Sequence, residues 1–285
     1  MISFPLVGDH STRVRKKRTV DGPILSKKSV VTVVIPIHKE EPSELEKISL
    51  SQTLAVLHSY PITFMTPTGL NTQWYEEFCR DKAQIFFERF EWKGWQAFAE
   101  MMISPVFYQR FLAYEYMLIC HLDAFVFRDE LEEWCALNHD YIGAVIYNNG
   151  YSKPKTFWRN LIGFNFPTYV GAGGFCLKKT STFYRITSRY KKYIDLFLWT
   201  NKKLNRIFLD DVFVSLHFPK LEPNFSIPPK SLAEHFGADF NTNWEAENLP
   251  FNNQDNSTMP FGVHAWIQYH QDYWKPCIQR YGYSL

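Results

Sequence analysis

The chain has 285 residues, 46% hydrophobic and 21% charged, with a formal net charge of +2. These figures fit a globular protein with a sizeable core and room for one large domain or two small ones. No apolar run reaches the roughly 18 residues that a membrane-crossing helix requires, and the opening "MISFPLVGDHSTRVRKKR" lacks the charged-then-apolar order of a signal peptide.

The charge is unevenly spread. Residues 1–28 hold seven Lys/Arg against two Asp/Glu, a net of +5, which leaves −3 for the rest. Residues 1–29 therefore read as a basic, solvated, mobile tail whose charge suits peripheral contact with an anionic membrane. A slightly acidic body does not suit nucleic-acid binding. The five cysteines form no CxxC pair, which argues against a zinc site or a disulfide framework and for a reducing, cytoplasmic setting.

The first regular element is "SVVTVVIPIHKEE", a β-branched run suited to a strand buried on both faces of a parallel sheet. "SELE" (Ser43 to Glu46) is a capping box that opens a helix striped by Leu45, Ile48 and Ala55. "PITFMTP" is the second strand, "NTQWYEEFC" a helix with Asn71 as its cap, and "AQIFFERF" the third strand. The strand–helix alternation predicts an α/β nucleotide-fold sheet with parallel strands. "GWQAFAEMMIS" and "PVFYQRFLAYEY" read as helical. "YMLICHLD" is a fourth strand continued by "AFVF", "RDELEEW" a helix, and "DYIGAVIY" a fifth strand. Residues 148–169, rich in Asn, Gly and Pro, read as a long loop of the kind that is functional or mobile. "VGAGGFCLKK" mixes glycine with a strand-like tail, "STFYRITSRYKKYIDLFLW" is one amphipathic helix, and "LDDVFVSLHF" starts another. The last fifty residues read as loop-rich, with a short strand or turn in "MPFGVHAWIQYH".

In such a sheet, ligands sit beyond the carboxyl ends of the strands. Asp123 stands at one such end, between two apolar segments. A carboxylate there needs a partner or a cation, because burying it alone is costly. One strand-end Asp plus a second ligand elsewhere, such as His264, suits Mg²⁺ or Mn²⁺; Arg128 as a partner, or a helix-capping role, is the alternative. Asp210 and Asp211 are adjacent, so on a regular helix they do not share a face. One is expected to cap the helix while the other points into the cleft as a general base. "GAGG" (171–174) either is a tight turn or gives a ligand room against the backbone.

Together these motifs resemble GT-A fold nucleotide-sugar glycosyltransferases. More narrowly they resemble an uncharacterised bacterial and viral glycosyltransferase-like family. The marks are "HLDAFVFRDELEEW", "DYIGA", "VGAGGFCLKK", "LDDVFVS" and "PFGVHAW", in that order, and the resemblance runs from Val31 to Trp266. It implies a GT-A-like, Rossmann-type mixed sheet, mostly parallel and flanked by helices, forming a single domain over residues 30–285. It also implies a metal, Mn²⁺ or Mg²⁺, at Asp123 and His264, with His121 in place of the first aspartate of an Asp-x-Asp motif. The donor would be held by Pro36, His38, Glu40, Arg110, His121, Leu122, Asp123, Gly173 and Gly174. Asp211 would act as base beside Asp210. The implied activity is transfer of a hexosyl or pentosyl group, with inversion, from a nucleotide-diphosphate sugar (UDP-sugar first, GDP-sugar second) to a hydroxyl of a glycan or other acceptor. The competing classes are a nucleotidyltransferase, against which the acidic "HKEEPSE" speaks, and a catalytically silent carbohydrate-binding protein, against which the acid pair speaks.

Overall fold

The computed structural model describes residues 30–146, 169–239, 251–252 and 254–285. The expected basic tail and all but Tyr169 of the expected 148–169 loop lie outside these residues. The fold starts with β1 (Val31–Pro36), buried on both faces as its VTVVIP sequence requires. Val31, Val33 and Ile35 enter one core cluster while Val34 enters the cluster on the opposite face. The helix α1 (Glu44–Leu57) follows, opened by the Ser43–Glu46 capping box, with Leu50, Leu54 and Leu57 buried. Truncating such a leucine to alanine costs about 2–5 kcal/mol.

Next come β2 (Ile62–Pro67), α2 (Gln73–Cys79) and β3 (Ile85–Phe90). The cap position of α2 is Thr72 rather than Asn71, although the Asn71 side chain accepts from the Gln73 N–H at 3.1 Å. Two helices, α3 (Gly94–Met101) and the short α4 (Pro105–Gln109), lead to β4 (Tyr116–Cys120). The helix expected over 105–116 is thus confined to five residues.

After β4 the chain turns sharply, the Ala124 N–H donating to the His121 carbonyl at 3.0 Å. Hence β5 (Phe125–Val126) does not continue β4 but enters a second sheet. Beyond α5 (Leu131–Ala136), the expected fifth strand splits in the same way into β6 (Tyr141–Gly143) and β7 (Val145–Ile146). The break falls where Gly143 crosses Gly171 so closely that a Cβ on Gly143 would lie 2.7 Å from the Gly171 Cα. Among the described residues there follow β8 (Tyr169–Val170), β9 (Phe175–Lys179), α6 (Thr180–Arg189), α7 (Lys191–Lys203), α8 (Asp210–Leu221), α9 (Lys230–Phe236), β10 (Gly237–Asp239), a 3₁₀ turn (Asn256–Thr258), β11 (Gly262–His264) and α10 (Gln271–Gln279). The single amphipathic helix expected over 181–199 is two helices. The break follows Thr187, whose hydroxyl donates back to the Phe183 carbonyl at 2.7 Å, a bond that bends helices.

The large sheet has the order β3-β2-β1-β4-β9-β6; β1 to β4 run parallel and β9 is antiparallel to both its neighbours. The small sheet has the order β5-β11-β10-β7-β8. Strand order reverses between β1 and β4, so the crevice beyond their carboxyl ends is the place the topology reserves for a ligand. All five cysteines are free and buried.

Candidate active site

A cleft of about 760 Å³ opens at that crevice. Of the residues expected there, Pro36, His38, His121, Leu122 and Asp123 line it, joined by Lys39, Trp92, Trp95 and Gln268. Glu40, which is exposed, lies outside the lining, as do Gly173, Gly174 and the Asp210–Asp211 pair. Arg110 is not brought to this cleft. Arg110, the C-cap residue of α4, pairs with Glu88 of β3 at 2.9 Å and stacks over Phe90, beside a separate cavity.

His121 and Asp123, which line the cleft, and His264 behind them bring one ligand atom each within 4.8 Å of one another. Asp123 lies against His264, the second ligand expected with it: His264 Nε2 is 3.3 Å from Asp123 Oδ1. That oxygen is buried and has no aligned hydrogen-bond donor. The other ring nitrogen, Nδ1, donates to Asp239 Oδ2 at 2.7 Å. The cause lies in the small sheet, where Asp239 and His264 are register partners on the parallel strands β10 and β11. Burial pushes against the Asp123 carboxylate, yet the His264 charge beside it holds the group well below the usual range. His264 is lifted well above an ordinary histidine, because Asp123 and Asp239 together outweigh its burial. His121 is pushed down to about 4 by burial and by the charge of His264.

The glycine turn forms a wall beside this cluster. A Cβ on Gly174 would clash with the His264 ring, 1.9 Å from Nε2, and one on Gly173 would meet Asp211 Cβ at 3.3 Å. The glycines therefore make room for two of the protein's own side chains, rather than for an open approach to the backbone. Gly171, at φ +129, takes a conformation suited to glycine, and a side chain there would strike Tyr141 and Ser215.

On the far side of the turn, Asp210 and Asp211 are the first two residues of α8. The cap position is Leu209, without a side-chain bond, so neither aspartate stands at the cap position expected of one of them. Asp211 Oδ1 accepts the Val212 N–H at 2.7 Å and Oδ2 accepts the Tyr169 hydroxyl at 3.3 Å. Burial, then the charge of Asp210, lift the Asp211 carboxyl to about 7. Asp210 is raised by burial and opposed by Lys178. Lys178 is fully buried, its ammonium 3.4 Å from the Tyr108 hydroxyl and 5.3 Å from the centre of the Phe183 ring.

Sequence reasoning missed Asp239, Tyr169, Gln268 and Lys178. Only Lys178 carried a signal: in a strand the alternation that buries Cys176 also points Lys178 inward.

The structure is similar to those of several sugar-transferring enzymes. Mouse xyloside xylosyltransferase 1, in its apo form, aligns with a TM-score of 0.52 at 11% identity, over 82% of this chain and 97% of that one. Galactosyltransferase LgtC, in complex with donor and acceptor sugar analogues, gives 0.49 at 10% identity over 88% and 94%. Core-mannan synthase A from Aspergillus fumigatus gives 0.45 at 13% identity over 74% and 76%. The first of these carries the fold comparison, and the mixed, mostly parallel sheet flanked by helices is the GT-A fold. No curated protein matches the chain in sequence. Residues 82–264, more than half the chain, match one family, and the chain is a member of it: the proteins of unknown function termed DUF5672.

Proposed function

We propose that this protein is a metal-dependent glycosyltransferase that moves a sugar from a nucleotide-diphosphate sugar to a hydroxyl of a glycan or other acceptor, with inversion. The observation that carries this reading is the His121–Asp123–His264 cluster, two of whose members line a switch-point cleft, one glycine turn away from a carboxyl poised near neutrality. The GT-A fold, shared with a xylosyltransferase, supports it.

The three side chains fit a divalent cation, Mn²⁺ or Mg²⁺. They offer two imidazole nitrogens and a carboxylate oxygen that is buried without an aligned donor. Such a cation, when bound, supplies charge neutralisation for a diphosphate leaving group. The rest of the chemistry belongs to the chain. Asp239 fixes His264 through Nδ1, so that Nε2 points at the cluster. Trp95, 53% exposed at the cleft, offers a flat face for a nucleobase or a sugar. Asp211 accepts the proton of the attacking hydroxyl, for which a value near 7 is well matched.

The test is thermal stabilisation by a panel of nucleoside diphosphates and nucleotide sugars, UDP- and GDP-linked, with and without Mn²⁺. A nucleotide response that grows with the metal is expected. A response to free glycans alone would mean a carbohydrate-binding protein, and a response to nucleoside triphosphates alone would mean a nucleotidyltransferase. The anomeric configuration of the product, read by NMR, decides inversion.

A further inference from the structure

Helix α7 buries only one side. Ile194 is buried, and Phe197 and Leu198 pack against the core. At 3.6 residues per turn, Lys192, Leu196, Trp199 and Lys203 share the opposite face, spaced i, i+4, i+7, i+11. Leu196 is 61% exposed and Trp199 57%, and the apolar surface continues past the helix end through Leu204 at 54% and Ile207 at 74%. This exposure is not fraying. The Leu204 N–H donates to the Thr200 carbonyl at 3.0 Å and the Arg206 N–H to the Asn201 carbonyl at 2.8 Å. The Phe208 N–H then ties the segment to Gln96 Oε1 at 3.3 Å.

The charge around this apolar strip has one sign. Residues 191–207 carry five Lys/Arg and the single acid Asp195, a net of +4, and Asp195 is already paired with Lys191 at 2.6 Å. We propose that the outer face of α7 and the turn after it dock on an anionic lipid surface. A tryptophan and branched aliphatics flanked by lysines match the interface between headgroups and acyl chains, where the ring lies at headgroup level and the ammonium groups reach outward to phosphate. Lys203 already stands 5.9 Å from the centre of the Trp199 ring, so its charge and the ring enter the interface together. A second copy of the chain is a poorer occupant. A two-fold contact sets the same patch against itself, and here that means +4 against +4. The strip ends three residues before Asp210, so docking would bring the acid pair close to the lipid plane and suit an acceptor carried on the membrane. This last consequence rests on the transferase reading, but the docking does not.

The experiment is sedimentation of the full chain with vesicles of phosphatidylcholine alone or mixed with phosphatidylglycerol. Binding to the anionic vesicles only is expected, weakened by salt. The double variant Leu196→Ser/Trp199→Ser is expected to lose it while melting as the wild type does, since both side chains are exposed. Lys192→Ser and Lys203→Ser are each expected to weaken it about fivefold. Quenching by brominated lipid should drop in Trp199→Phe. Unchanged binding by the double variant would place the contact elsewhere, for instance in residues 1–29, and overturn the proposal. So would a wild type that ignores anionic vesicles, or one that instead forms an oligomer abolished by Trp199→Ser. None of these readouts involves sugar transfer, so the docking and the proposed activity can fail separately.

Discussion

Asp123 and Asp211 stand on opposite sides of one glycine turn and are driven in opposite directions. Burial disfavours the charge on both. What differs is the company. Asp123 lies against His264, which keeps it an anion far below neutrality. Asp211 lies beside Asp210, whose charge adds to burial and brings it to about 7. An acid placed among bases stays ionised and suits a cation, whereas an acid placed beside another acid becomes a proton acceptor near neutral pH.

The largest expected effect tests the first half of this contrast. Asp123→Asn keeps the shape and removes the charge. It is expected to abolish the Mn²⁺-dependent part of the nucleotide thermal shift, and transfer with it, while the protein stays folded. A folded variant with an intact Mn²⁺ response would break the comparison at its cation side.

Asp211→Asn tests the other half. Transfer is expected to fall roughly a hundredfold, the scale of a lost general base, with the nucleotide thermal shift unchanged. In the wild type the rate should decline below about pH 7, as Asp211 takes up a proton. The stability effect has the opposite sign to the activity effect. A carboxyl raised in the folded state contributes stability that is present below its unfolded value and lost as pH climbs through the folded one. At pH 8, therefore, Asp211→Asn should melt higher than the wild type, by about 2–4 °C for each kcal/mol recovered. A lower melting point at that pH would mean that the carboxylate is stabilising where it stands.

Asp239→Asn is expected to weaken Mn²⁺ binding about 10–100-fold in a metal titration, the range for losing a carboxylate behind a ligating histidine. Unaltered affinity would show that the β10–β11 register alone orients His264. The smallest effect belongs to Asp210→Asn. Removing the like charge should move the acid limb of the pH–rate profile down by about one unit, with little change at high pH. If Asp210→Asn is instead the inactive variant, the roles within the pair are reversed.

Much of the scaffold was legible because its signals are local. The β-branched run of β1 and the Ser43–Glu46 box need no distant partner to be read. The strand-end positions of His121 and Asp123, and the acid pair at a helix start, were legible for the same reason. The small sheet was not. Its strands are two or three residues long, too short for a period, and it forms by a turn at 121–124, closed by the Ala124 N–H on the His121 carbonyl, and by a break at 143–144, where Gly143 crosses Gly171. The bond between Asp239 and His264 depends on that sheet, so Asp239 stayed invisible. Arg110 gave no local signal of its ion pair, because Glu88 lies on β3, 22 residues earlier in the chain.

Gly173 and Gly174 are consecutive, and one touches the acid pair while the other touches the imidazole. The offset between the two sites is thereby set by a single peptide unit, about 3.8 Å between Cα atoms, and not by any side chain that selection is free to lengthen or trim. Any side chain added to Gly174 displaces His264 in the same step, so a change made there on behalf of the acid pair disturbs the imidazole as well.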